Sequence, residues 1–329
     1  MAGIHLQDVL SRIDSYRSDV ISIQQALTRV PALAPEFGGQ GENDKSKIIG
    51  NYLTDLRPDA FEQIRIPDSR VSCGYRPNLL ARWKGRSSQH TIWIMSHMDV
   101  VPAGEDASWQ TPPFEAVEKD GRIYGRGTED NQQGIVSSLL AVRALRELDL
   151  APTYDVGLAL VADEENGSQY GISAILDTRR DMFTKDDLIV IPDAGDPGGI
   201  LIEVAEKSIL WIRCETVGKQ THGSTPEKGI NAHKAAARLI VKMDELYALY
   251  PKKDPLYDPP VSTFEPTRKE PNVGSINIIP GHDVFCFDCR ILPDYDPDAV
   301  VSRIRVWADE IERQFGVRIS LTFPQSVPA

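Results

Sequence analysis

His97 and Asp99 stand together in Ser96-His97-Met98-Asp99, and Asp130, the pair Glu164-Glu165 and Asp193 follow at steps of roughly thirty residues, about one βα unit each. Imidazole nitrogen and carboxylate oxygen are the donors that divalent cations take, so the ordered set predicts a metal site. Each group falls where an apolar run stops, and the carboxyl ends of strands are where open α/β sheets gather ligands. A pair of ions about 3.5–4 Å apart needs a bridging carboxylate. Asp99, two residues past His97, is placed to accept the second imidazole N–H and leave the other ring nitrogen free for metal. Glu164 and Glu165 are neighbours, so in an extended segment they face opposite ways. One can bind metal while the other takes a proton from water and hands it to a leaving nitrogen. Asp163 completes an acidic triplet that is costly beside a core strand unless a cation balances it.

The elements that position these groups are legible from periodicity. Residues 7–29 and 44–56 read as amphipathic helices, 78–83 and 91–95 as strands, and 132–148 as a helix with Ile135, Leu139, Val142 and Leu145 at helical spacing. Short apolar runs at 155–162 and 188–191 end at acidic residues. Alternating strand and helix predicts an α/β sheet covered on both faces, a three-layer catalytic domain with a mainly parallel sheet. After about residue 205 the order changes to a strand at 209–217, a helix at 231–250, a Pro-rich loop at 251–271, strands at 273–279 and 284–292, a helix at 296–315 closed by Gly316, and a strand at 317–323. That is the β-α-β-β-α-β order of a ferredoxin-like second domain. The expected division is 1–205 and 206–329.

The chain has 329 residues, 41% of them hydrophobic and 26% charged, with a net charge of -12, which repels phosphate backbones and argues against nucleic acid as a partner. No apolar run reaches the roughly 18 residues that span a bilayer, and residues 1–17 are polar rather than signal-like, so the expected location is the cytoplasm. Cys73, Cys214, Cys286 and Cys289 are too few for a disulfide scaffold. Cys286 and Cys289 have metal-motif spacing but lie three apart in a strand, so their sulfurs point to opposite faces. His5, His90, His233 and His282 are assigned to surface, helix or turn positions rather than to metal.

Ser96-His97-Met98-Asp99-Val100-Val101-Pro102, Gly121-Arg122-Ile123-Tyr124-Gly125-Arg126-Gly127-Thr128-Glu129-Asp130 and Asp163-Glu164-Glu165-Asn166-Gly167-Ser168 together resemble the co-catalytic zinc metallopeptidases, a family that includes acetylornithine deacetylase, succinyl-diaminopimelate desuccinylase, aminoacylase and glutamate carboxypeptidase. The resemblance covers nearly the whole chain. It implies that His97 and Asp193 bind one zinc, that Glu165 binds a second and that Asp130 bridges them, with cobalt or manganese as possible substitutes. Glu164 becomes the general base acting on metal-held water, and Asp99 the carboxylate that orients His97. A cis peptide is expected beside Asp130. In the second domain, Thr221-His222-Gly223 resembles a segment whose histidine helps an oxyanion across a homodimer, and Gly274-Ser275-Ile276-Asn277 one that brings an asparagine to substrate. Arg290 matches an arginine that meets a substrate carboxylate, with an ion pair to Asp288 or Glu215 as the alternative.

The activity implied is metal-dependent hydrolysis of the amide bond of an N-acyl amino acid or small peptide. Family members return to the first domain after the small one and add a final histidine ligand, which is not present before Ala329. The expectation is then a weak second metal site and exposed apolar surface, with a non-catalytic relative that binds metal weakly or acts through dimerisation as the rival reading.

Overall fold

The computed structural model describes residues 6–196 and 198–329, which separate into two compact units, 1–201 and 202–329. The first begins with α1 (Leu6–Asp14), α2 (Arg17–Thr28) and α3 (Asn43–Asp55). The single helix expected over 7–29 is broken at Ser15, whose hydroxyl donates to Arg12 O at 2.6 Å and competes with the helical ladder. Next come β1 (Ala60–Pro67), β2 (Tyr75–Trp83) and β3 (Ser87–His97), the small hairpin β4 (Val117–Lys119) and β5 (Arg122–Tyr124), then α4 (Gln132–Glu147), β6 (Tyr154–Val161), α5 (Ile172–Thr178) and β7 (Leu188–Val190).

The central sheet has the order β1-β2-β6-β3-β7. β3 pairs in parallel with β6 and β7, while β2 runs against both β6 and β1, so four of the five strands share one direction. One face is covered by α1 to α4, where Leu27, Ile49, Leu53, Ile135, Leu139 and Leu158 are buried together. The other face carries Trp93, Met95, Val161 and Ile175 under α5. Each fully buried Leu or Ile in these layers contributes roughly 1.5–3 kcal/mol. β7 is an edge strand, and Leu188, Ile189 and Val190 are exposed.

The second unit holds β8 (Ser208–Val217), β9 (Thr221–His222), α6 (Ala232–Met243), α7 (Leu246–Leu249), β10 (Thr263–Lys269), β11 (Ile278–Ile279), β12 (His282–Ile291), α8 (Pro297–Phe315) and β13 (Arg318–Val327). Its sheet order, β10-β12-β8-β13, is antiparallel throughout, and the β-α-β-β-α-β sequence is that of the ferredoxin-like unit. Asn231 accepts from Lys234 N–H at 2.9 Å and caps α6. Two expectations are corrected. The second strand is β10, inside the stretch read as a Pro-rich loop; it is an edge strand, the place where a sheet tolerates proline, and Pro266 borders its register shift. Residues 273–279 supply only the two-residue β11, paired with β9.

Candidate metal centre

β3 ends at His97, and its parallel register with β6 sets His97 level with Val161. The acidic turn after β6 therefore begins just beyond the histidine. Asp130 comes from the turn before α4, and Asp193 from the segment after β7. Gly134 lets these close in: a Cβ there would lie 2.3 Å from Asn131 Oδ1, 2.7 Å from Ser96 Oγ and 2.9 Å from Pro192 O. Gln133 Nε2 donates to Pro192 O at 2.6 Å, tying the start of α4 to the Asp193 segment. The peptide between Asp130 and Asn131 is cis.

These elements bring the first-domain candidates together. His97 is 2% exposed, and its Nε2 lies 2.8 Å from Asp130 Oδ1, 3.8 Å from Glu164 Oε2 and 3.8 Å from Asp193 Oδ1. Two groups of donor atoms are compact enough to hold an ion, His97 with Asp130 and Glu165, and His97 with Glu164 and Asp193. The second differs from the expected assignment by admitting Glu164 as a possible ligand.

Asp99 acts on the imidazole and on the acidic turn. His97 Nδ1 donates to the backbone carbonyl of Asp99 at 3.0 Å, with the carboxylate at 3.5 Å. That carbonyl orients the ring and leaves Nε2 facing the acids. The carboxylate also accepts the N–H groups of Glu164 at 3.0 Å and Glu165 at 3.1 Å, so it holds the acidic turn while lying beside the imidazole. Asp163 differs from expectation, because its counter-cation is Arg76, 3.4 Å away, and not an ion of the site.

Electrostatics fit a cation. Burial, then the Asp130 charge, pushes Glu165 up to about 7. Burial and the surrounding acids raise Glu164, against the opposing pull of His97. Burial works against a charged His97, yet hydrogen bonds to Asp130 and Asp99 and the nearby acid charges win and raise it to about 11. The His97 bond holds Asp130 below the carboxylate range. Among the described residues, Glu165 Oε1 is buried without a hydrogen-bond partner. One imidazole among several carboxylate oxygens is a donor set that suits a divalent cation. Lys45, buried in α3, contributes positive charge from behind; burial pushes it down to about 8, while Asp99 and Glu42 pull it back up.

Metal affinity should therefore rise with pH. In the metal-free protein Glu165 keeps its proton up to about 7 and His97 up to about 11, and a cation held by both would displace both protons. Binding releases about two protons below neutrality and about one above it, each adding about tenfold in affinity per pH unit. Calorimetric cobalt titrations in buffers of different protonation enthalpy measure this; an affinity flat from about pH 6 to 8 would contradict it.

In the second unit, His222 and Asn277 are exposed and adjacent, Asn277 Nδ2 lying 3.3 Å from His222 Nε2. Arg290 is engaged by Asp288 through Nε at 2.7 Å and Nη2 at 3.1 Å, the ion-pair alternative. His233 bonds Asp283 and His282 bonds Glu215, His90 packs edge-on against Tyr154, and His5 lies outside the described residues. The cysteines are free, Cys289 buried and Cys286 half-buried on the other face of β12. Sequence reasoning missed Glu42, Lys45, Arg76 and Asn78, all buried behind the acidic turn. Lys45 carried a signal, since it shares the helical face of Ile49 and Leu53, where a charged residue is out of pattern.

An α/β sheet with clustered imidazole and carboxylates at the carboxyl ends of its parallel strands defines a metallohydrolase type of site. The family model for Peptidase family M20/M25/M40 matches residues 93–317, and the chain belongs to that family. It is 42% identical to an uncharacterized metallohydrolase of Methanococcus maripaludis over 91% of this chain and 74% of the relative. It is 27% identical to succinyl-diaminopimelate desuccinylase of Delftia acidovorans, over 89% of this chain and 73% of that one. The crystal structure of human carnosine dipeptidase 1 shares the fold, with a TM-score of 0.72 at 17% identity over 99% of this chain and 81% of that one. Among the described residues no helix is long and apolar enough to cross a membrane.

Proposed function

We propose that this protein is a zinc-dependent hydrolase of the amide bond of an N-acyl amino acid or small peptide, with cobalt or manganese able to substitute. The observation that carries the reading is the buried His97 imidazole shared by two donor groups, with the Glu164 carboxylate 3.8 Å from its Nε2. His97, Asp130, Glu165 and Asp193 would hold metal. Bound there, a divalent ion polarises the carbonyl and acidifies water. Glu164, half-exposed and with its pKa raised first by burial, is the group that would take a proton from water and return it to the departing amine. Asp99 keeps Glu164 and Glu165 in place through their N–H groups. A desuccinylase among the relatives and a dipeptidase among the structures support an amide substrate.

In the second unit, His222 and Asn277 form an exposed pair of donors suited to an oxyanion, and they are the proposed substrate groups together with Arg290 once it leaves Asp288. The same unit is the proposed homodimerisation domain, and the cytoplasm the proposed location. The test is hydrolysis of N-acetyl and N-succinyl amino acids and dipeptides by the metal-stripped chain, with and without zinc, cobalt or manganese. Metal-dependent cleavage of at least one class is expected. Failure to bind any of the three ions would overturn the site; stoichiometric metal without amide cleavage would overturn the substrate class.

A further inference from the structure

We propose that Arg76 is a positioning residue whose buried pair with Glu42 fixes the turn carrying Glu164 and Glu165, a role that rests on the reading of those glutamates as site groups. The turn from Ala162 to Tyr170 hangs from two residues on one face of β2. Asn78 closes it: Asn78 Oδ1 accepts Ala162 N–H at 2.9 Å and Asn78 Nδ2 donates to Tyr170 O at 3.0 Å. Two positions earlier, Arg76 donates from Nε to Glu42 Oε2 at 2.7 Å and from Nη2 to the other Glu42 oxygen. Its Nη1 has no hydrogen-bond partner among the described residues and lies 3.4 Å from Asp163 Oδ1 and 3.7 Å from Asp68 Oδ2.

Glu42 and Arg76 thus grip Asp163 from two sides. Glu42 Oε1 accepts Asp163 N–H at 3.3 Å, Arg76 faces the Asp163 carboxylate, and the second oxygen of that carboxylate accepts Tyr170 N–H at 3.0 Å. Asp163 needs such a grip, because its φ of 64° lies in the left-handed region that side chains disfavour. It leads directly into the short helix Glu164–Asn166, so its conformation sets the direction in which both glutamates leave the sheet.

The surroundings are shaped around the guanidinium. A Cβ at Gly41 would lie 2.7 Å from Arg76 Nε, and the Tyr170 ring faces the Arg76 guanidinium at 5.8 Å. A fully buried ion pair is a poor way to fill a core, since apolar side chains of similar volume do it without desolvation. What apolar atoms lack is a rigid fork of donors that meets Glu42 and Asp163 at once.

The test compares the full-length wild type with Arg76→Met, Arg76→Lys and Asp163→Asn. In metal-free protein, amide exchange over residues 162–170 is expected to speed up about tenfold or more in Arg76→Met, with β8 unchanged as the internal control. Cobalt affinity should fall by about 10–100-fold, the range for residues that orient ligands. Arg76→Lys should restore little, because an ammonium lacks the fork. If Arg76→Met does not fold, Asp163→Asn carries the test: it keeps an acceptor for Tyr170 N–H and removes the charge that faces Arg76. Wild-type exchange and wild-type cobalt affinity in whichever variant folds would overturn the proposal, as would full recovery in Arg76→Lys. A wild type that binds no cobalt would refute the metal site, while the metal-free exchange would still decide the role of Arg76.

Discussion

Glu164→Gln is expected to lower kcat by about 10²–10⁴ while the protein still binds metal. Glutamine keeps the shape of the side chain and its N–H bond to Asp99 Oδ1, 3.0 Å long, so the turn should stay in place. What it loses is the ability to accept a proton from water and give it up again. The distinction matters because Glu164 is also one of the three donors in the group with His97 and Asp193. Metal analysis alongside steady-state kinetics separates the roles. Retained metal with lost turnover supports a base; loss of metal together with turnover would make Glu164 a ligand and sink its assignment as base.

His97→Ala should have the other large effect, a loss of metal affinity beyond about 100-fold, because even residues that merely orient ligands are worth 10–100-fold. His97 belongs to both donor groups, so one substitution weakens both. The metal-free protein should suffer as well. Without the imidazolium, Asp130, Glu164 and Asp193 face one another with no cation between them. The folded-state pKa of His97 is raised to about 11, so its contribution to stability is fully present below the ordinary value of 6.5 and is lost as pH rises through about 11. Denaturant melts of metal-free wild type should show that decline, and His97→Ala should lack it. Equal declines in both proteins would remove His97 from the account, and undiminished cobalt binding by His97→Ala would refute the site.

Much of the site could be read from the chain. His97, Glu164, Glu165 and Asp193 announce themselves just past apolar runs, while Asp130 sits in a polar turn before α4, and β3, β6 and α4 follow from plain periodicity. The behaviour of Asp99 could not be read in that way. Its spacing from His97 suits a carboxylate–imidazole bond, but the backbone carbonyl is nearer and the carboxylate is taken by two amides from a segment more than sixty residues away. Arg76 was silent for a similar reason. An arginine in a strand usually faces water, and only the approach of Glu42 and Asp163 from distant segments makes this one a buried cation.

The second unit teaches the same lesson about strands. Helices α6 and α8 show apolar spacing and caps at Asn231 and Asp296, which are local properties. β10, with the sequence TFEPTRK, has neither a clean alternation nor a run of apolar residues, since an edge strand needs only one neighbour and few buried side chains.

The sequence by itself determined the class of chemistry, the order of the donors and the helices and strands with plain apolar periodicity, because residue type and periodicity act over a few neighbours; β1, the β4-β5 hairpin, α5 and β10 were not legible in it. Only the tertiary structure decided which group serves which. Partner choice among buried charges depends on distances across strands and loops, and there a shift of about an ångström turns a hydrogen-bond acceptor into a spectator.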